Sequence, residues 1–143
     1  MQFEFLIPEV HGKGRPRFSL RTKSSYTDPK TRKYERDIRL LCGKAMKEAG
    51  IMHPTDRPVC VSITAFFKVP KSGTKAQREA KRQNLIVPGS PDIDNIAKAV
   101  FDGMNGVAYL DDQQIQSAQI SKMYSDTVFG VMVSVMWNDG SEN

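Results

Sequence analysis

Five aspartates, Asp92, Asp94, Asp102, Asp111 and Asp112, gather between residues 90 and 112 of an otherwise basic chain, with Lys98 as the one cation among them. Carboxylates at such density repel one another unless all are solvated or a cation sits between them. Hard divalent cations such as Mg²⁺ take oxygen ligands, commonly one or two carboxylates completed by water and phosphate oxygens. If the backbone is still extended at Asp92-Ile93-Asp94, both carboxylates project to the same side. The dipole of a helix starting there also favours negative charge. Asp111 and Asp112 follow after a helix and a turn, enough chain to return to the helix's starting end.

Each residue also has a plainer use. Asp92 suits a helix cap, and Leu110-Asp111-Asp112 suits a turn. Lys98 can pair with Asp94 or Asp102 along the helix, worth a few tenths of a kcal/mol, or hold a phosphate and stabilise charge in a transition state. Spacing alone leaves these open.

The elements that must position these residues are readable from periodicity. Residues 2 to 7 alternate as a first strand closed by Pro8, and 11 to 28 read as an extended basic loop without apolar periodicity. Tyr34, Ile38, Leu41, Cys42, Ala45 and Ala49 predict an amphipathic helix over 29 to 49, opened by Pro29 and ended by Gly50. Val59, Val61, Ile63, Ala65 and Phe67 share one face of a strand lying between Pro58 and Pro70. A short exposed helix begins near Thr74, and Ile93, Ile96, Ala97, Val100, Phe101 and Met104 form the stripe of a second core helix. On another face of that helix, Asp94, Lys98 and Asp102 fall at successive four-residue steps. Strands near 115 to 124 and 128 to 137 close the chain, joined by a turn around Ser125 and Asp126. The order predicts one α/β (α+β) domain, a small mixed sheet with helices packed on it.

Composition narrows the function. The length of 143 residues suits a single core. No stretch approaches eighteen apolar residues and the start lacks a signal-peptide pattern, so a cytoplasmic protein without a membrane partner is expected. Cys42 and Cys60 fall in the core helix and strand and are expected as small core residues. His11 and His53 sit in loops without metal-ligand spacing. Neither a glycine-rich phosphate loop nor a GxSxG elbow is present. Residues 1 to 86 carry a net charge of +11 and residues 87 to 143 carry −6. Such asymmetry suits a polyanion on the basic part and a cation in the acidic part. Lys13, Arg15, Arg17, Arg21 and Lys23, interleaved with Phe18 and Tyr26, and then Lys71, Lys75, Arg78, Lys81 and Arg82, are the candidate DNA-backbone contacts.

The run PDIDNIAKAVFDGMNG followed by VAYLDDQQI resembles the core signature of the RusA-type Holliday junction resolvases. These are small homodimeric endodeoxyribonucleases of bacteria and their prophages. The resemblance implies that Asp92, Asp94 and Asp112 are metal-binding catalytic acids, Lys98 the catalytic lysine, and Asp111 an accessory acid. Asn95 belongs to the motif. It further implies Mg²⁺, with Mn²⁺ as a substitute, a four-way DNA junction as substrate in recombination and repair, and a homodimer making paired symmetric nicks. Family members with basic residues directly before the first aspartate differ from this chain, which has Gly89, Ser90 and Pro91 there. Two other readings stand beside this one: a non-catalytic DNA-binding module, and a metal-dependent nuclease for another branched or flap DNA.

Overall fold

A computed structural model describes residues 1–14 and 17–141. The elements run β1 (Gln2–Ile7), β2 (Arg17–Ser19), β3 (Ser24–Tyr26), α1 (Pro29–Glu48), β4 (Val59–Lys68), α2 (Lys75–Arg82), α3 (Ile93–Met104), a 3-10 turn (Asp112–Gln114), β5 (Ile115–Ser125) and β6 (Gly130–Met136). The main sheet has the order β1-β6-β4-β5, with β4 and β5 parallel and the other two pairs antiparallel. The expected mixed α+β architecture is therefore present. No described helix is long and apolar enough to cross a membrane.

Helices α1 and α3 cover one face of the sheet. Alternation along β1, β4 and β6 turns Phe3, Phe5, Ile7, Val59, Val61, Ile63, Ala65, Val131, Val133 and Val135 towards them. Ile38, Cys42 and Met46 of α1 and Ile96, Val100 and Met104 of α3 complete one hydrophobic core. The helices cross closely at Gly103, where an added Cβ would lie 2.6 Å from Ile38 Cγ2. Among the described residues no helix covers the sheet's other face, which carries Ser62, Thr64, Ser134, Met132 and Met136 in register and is mostly uncharged.

One expectation is corrected. The arm from 11 to 28 is not loop throughout, since β2 and β3 pair as a short antiparallel ribbon, Phe18 opposite Ser25. Strands of three residues are too short for any period to show. The last two strands are joined by a turn but do not pair with each other, because β4 lies between them. Alternation reveals which face a residue uses, not which strand it adjoins. The residues linking β5 to β6 span two strand spacings, roughly 10 Å, and so cross over the end of β4.

Candidate active site

The first group of acids lies where α3 begins. Asp92 is the N-cap residue with extended backbone (φ −68°, ψ 158°), and its carboxylate makes no capping hydrogen bond. The plainer use as a cap is thus not taken up, although its carbonyl accepts from Ile96 N at 3.0 Å. Asp94 sits in the first turn and Lys98 one turn later, both exposed. Neither Asp92, Asp94 nor Lys98 is held in an ion pair with another described residue.

Their backbone is firmly placed. Lys122 of β5 donates to the carbonyls of Gly89 (2.8 Å) and Pro91 (3.2 Å), tying down the loop that leads into Asp92. From the other side, Lys13 N donates to Asn95 O at 3.0 Å. Gly12 permits that approach, because a Cβ there would come within 2.7 Å of Pro91 Cβ.

The second group lies at the other end of the helix. Asp102 is half-buried and binds Lys13 Nζ at 3.0 Å, and the same ammonium donates to Glu35 of α1. Burial pulls the Lys13 pKa down, but the two carboxylates outweigh it and hold it above the ordinary value. Asp111 accepts from Gln113 N at 2.9 Å, while Gln114 Oε1 accepts from the amides of Leu110 and Asp111, closing a capping box. Gln114 Nε2 then donates to Thr55 O and Arg57 O, fixing the turn against the loop before β4. The Asp112 carboxyl is held above the usual carboxylate range by its hydrogen bond with Asp111, then by burial and by the charges of Asp111 and Asp102.

The chain does turn back after α3, yet it delivers Asp112 beside Asp102 rather than to the helix's start. Asp94, Lys98 and Asp102 form a ridge with steps of about 6 Å along the axis, so Lys98 stands midway between the two acidic groups. Among the described residues, no three carboxylate, imidazole or thiol side chains stand together closely enough to hold an ion. The donor chemistry still fits a hard divalent cation. All donors are carboxylate oxygens, magnesium needs only one or two of them, and the mutual repulsion felt at Asp112 is what a nearby cation relieves.

Comparison with known proteins decides the lineage: residues 8–136 match the family described as Endodeoxyribonuclease RusA. The chain belongs to the RusA endodeoxyribonuclease family. It is also similar to the Bacillus subtilis (strain 168) protein YqaN, 32% identical over 122 residues that cover 82% of this chain and 84% of that one. Membership of the RusA family supports a nuclease hydrolysing DNA internally.

The expected DNA contacts of this RusA-family chain are distributed unevenly. Arg15 lies outside the described residues, as does the side chain of Arg17. Arg21 and Lys23 are exposed on the turn of the β2–β3 ribbon, close to Phe18, which is 62% exposed, and Leu20, which is 86% exposed. Lys13 is instead engaged with Glu35 and Asp102. On α2, Lys75 is exposed and Lys81 lies 5.5 Å from the Tyr124 ring. Arg78 donates to Lys71 O and Gly73 O, and Arg82 pairs with Asp126 and Glu79. Sequence reasoning missed the positioning groups Lys122, Glu35 and Gln114. A lysine between Ile120 and Tyr124 on the helix-facing side of a strand was one available signal, and Asp111-x-x-Gln114 as a capping-box spacing was another.

Proposed function

We propose that the protein is a Mg²⁺-dependent, structure-selective endodeoxyribonuclease that resolves Holliday junctions by paired symmetric nicks. The observation that carries this reading is the exposed ridge of α3. There Asp92, Asp94 and Lys98 have no ion-pair partner among the described residues, although their backbone is clamped from two sides. Unpaired charges on a well-placed backbone suit a ligand better than they suit stability.

Asp92 and Asp94 would hold an ion at the start of α3, and Asp112 with Asp111 would offer carboxylates for one near its other end, where Asp102 lies. Bound Mg²⁺ supplies Lewis acidity to the scissile phosphodiester. Lys98 holds a phosphate oxygen and offsets the charge that grows there as the bond breaks. Lys122 and the Gly12–Lys13 backbone keep the start of α3 in place, so that no reorganisation is needed when DNA arrives. Arg21 and Lys23 on the ribbon, with Lys71 and Lys75, meet the DNA backbone and make binding salt-dependent.

Two symmetric nicks call for two sites related by a two-fold axis, hence a homodimer. The sheet face that no helix covers suits such a contact, because within β1, β4, β5 and β6 its charges are limited to Glu4 and, at the far end, Lys68.

The test is a nicking assay with Mg²⁺ on a four-way junction, a flap and a linear duplex, comparing wild type with Asp94→Asn. Paired cuts confined to the junction, lost in a folded mutant that still binds, support the proposal. Preferential cutting of the flap assigns another branched substrate. Among the described residues no three acids converge, which favours a second reading, a non-catalytic DNA-binding module. That reading is upheld if both proteins bind the junction and neither cuts it under any metal.

A further inference from the structure

A second site lies between α2 and the end of the sheet. Where the link between β5 and β6 crosses the end of β4, it borders with α2 an open cavity of about 380 Å³. Its walls bring four cations, Lys68, Lys71, Arg78 and Arg82, against one carboxylate, Asp126. Its apolar surface includes Phe129, 39% exposed, with Lys68 Nζ 5.5 Å from the ring centroid. Arg78 is pinned by two carbonyls but meets no acid among the described residues, so its charge is oriented without being neutralised.

We infer that this cavity receives an unpaired nucleotide of the DNA strand, its base stacked on Phe129 and its phosphate held by Lys68, Lys71 and Arg78. The inference rests on the proposed action on branched DNA: a four-way junction keeps its bases paired, but opening a pair at the exchange point has a modest cost, which a stacking site can offset. An aromatic face ringed by cations is the chemistry that single strands select, stacking being indifferent to sequence. A nucleoside triphosphate is a poorer match, because Asp126 and Glu79 already offset Arg82 and the chain has no glycine-rich phosphate loop. The position also agrees. Lys122, which clamps Pro91, pairs with Ala65, and three residues further along the same parallel strands Ser125 pairs with Lys68 at the cavity. Three residues of strand are about 10 Å, so the cavity and the start of α3 share the carboxyl end of β4 and β5. Open α/β sheets bind ligands at that end.

The experiment compares binding of a labelled thymidine pentanucleotide with that of an abasic strand of equal length and charge, by fluorescence anisotropy. Cleavage is not read, so the outcome does not depend on nuclease activity. Wild type is expected to prefer the base-bearing strand by about five-fold or more. Phe129→Leu, which keeps the apolar volume, removes the preference while leaving affinity for the abasic strand unchanged. Lys71→Ala weakens both strands and lowers the salt slope. Phe18→Leu on the ribbon leaves the preference intact. Equal binding of the two strands by wild type overturns the inference, as does a preference that survives Phe129→Leu or disappears in Phe18→Leu. Expected binding results from a protein that cuts no DNA would leave this site standing and sink the resolvase reading alone.

Discussion

Lys13 Nζ lies 3.0 Å from Asp102 Oδ2 while also donating to Glu35, so one ammonium joins the root of the basic arm to α1 and α3 at once. All three side chains are less than a third exposed, which places their interaction between a surface pair and a buried one. Lys13→Met leaves two carboxylates facing each other and is expected to cost about 1–3 kcal/mol in urea unfolding. The Lys13 pKa is raised above 10.5 on folding, so this stability is fully present below pH 10.5 and is lost as pH rises through the folded value. The difference in unfolding free energy between wild type and mutant should therefore hold from pH 7 to 9 and shrink above 10.5. By contrast, Arg21→Ala should leave stability unchanged and lower the salt slope of DNA binding by about one.

Lys122 is a positioning residue. Lys122→Met removes both hydrogen bonds to the loop before Asp92 and should lower kcat for junction nicking about ten-fold or more, with junction affinity little changed. A mutant that loses kcat and affinity together would mean that Lys122 contacts DNA instead. Arg at this position restores part of kcat if donation to the carbonyls is what counts.

Gly103 sets the distance between α1 and α3. Gly103→Ala pushes a methyl group to 2.6 Å from Ile38 Cγ2 and is expected to lower stability by about 1–3 kcal/mol. Ile38→Ala alone should cost about 2–5 kcal/mol, and the double mutant should lose less than the sum of the two, a coupling that a double-mutant cycle in chemical denaturant measures directly.

The two thiols should differ in reactivity. Burial pushes Cys42 up to about 12 and leaves it inaccessible, whereas Cys60 is only half-buried, on the sheet face without helices. At pH 8 a disulfide reagent should label one cysteine per folded chain and both in urea. Rapid labelling of Cys42 in the folded state would contradict the packing of α1 against α3.

Much of this could be read from residue order because the helices and β4 bury one face each. The stripe Ile96, Val100, Met104 and the alternation Val59, Val61, Ile63 are direct imprints of burial. The ridge Asp94–Lys98–Asp102 followed from the same period. What periodicity could not supply is adjacency. Nothing in β5 or β6 states that β4 lies between them, and this insertion creates the cavity beside Phe129. Lys13 read as a DNA contact because charge alone does not say which acid it meets, and its partners are 22 and 89 residues away. Asp112 was expected at the start of α3 because chain length permits it, whereas the capping box with Gln114 holds it near Asp102 instead.

The pairing of β1 with β6 sets a schedule for biosynthesis. Gln2 pairs with Met136 and Ile7 with Val131, and the amino group of Met1 donates to Trp137 O at 2.9 Å. Strand β1 therefore has no sheet neighbour until β6 has been made. During that interval Phe3, Phe5 and Ile7 lack their strand partner, and their eventual pairing with Val135, Val133 and Val131 closes a long loop. Vectorial folding can build α1 and pair β4 with β5 first, but the sheet is completed only once β6 is present. A nascent polypeptide stalled before residue 130 should accordingly be cut within β1 as readily as an unfolded one.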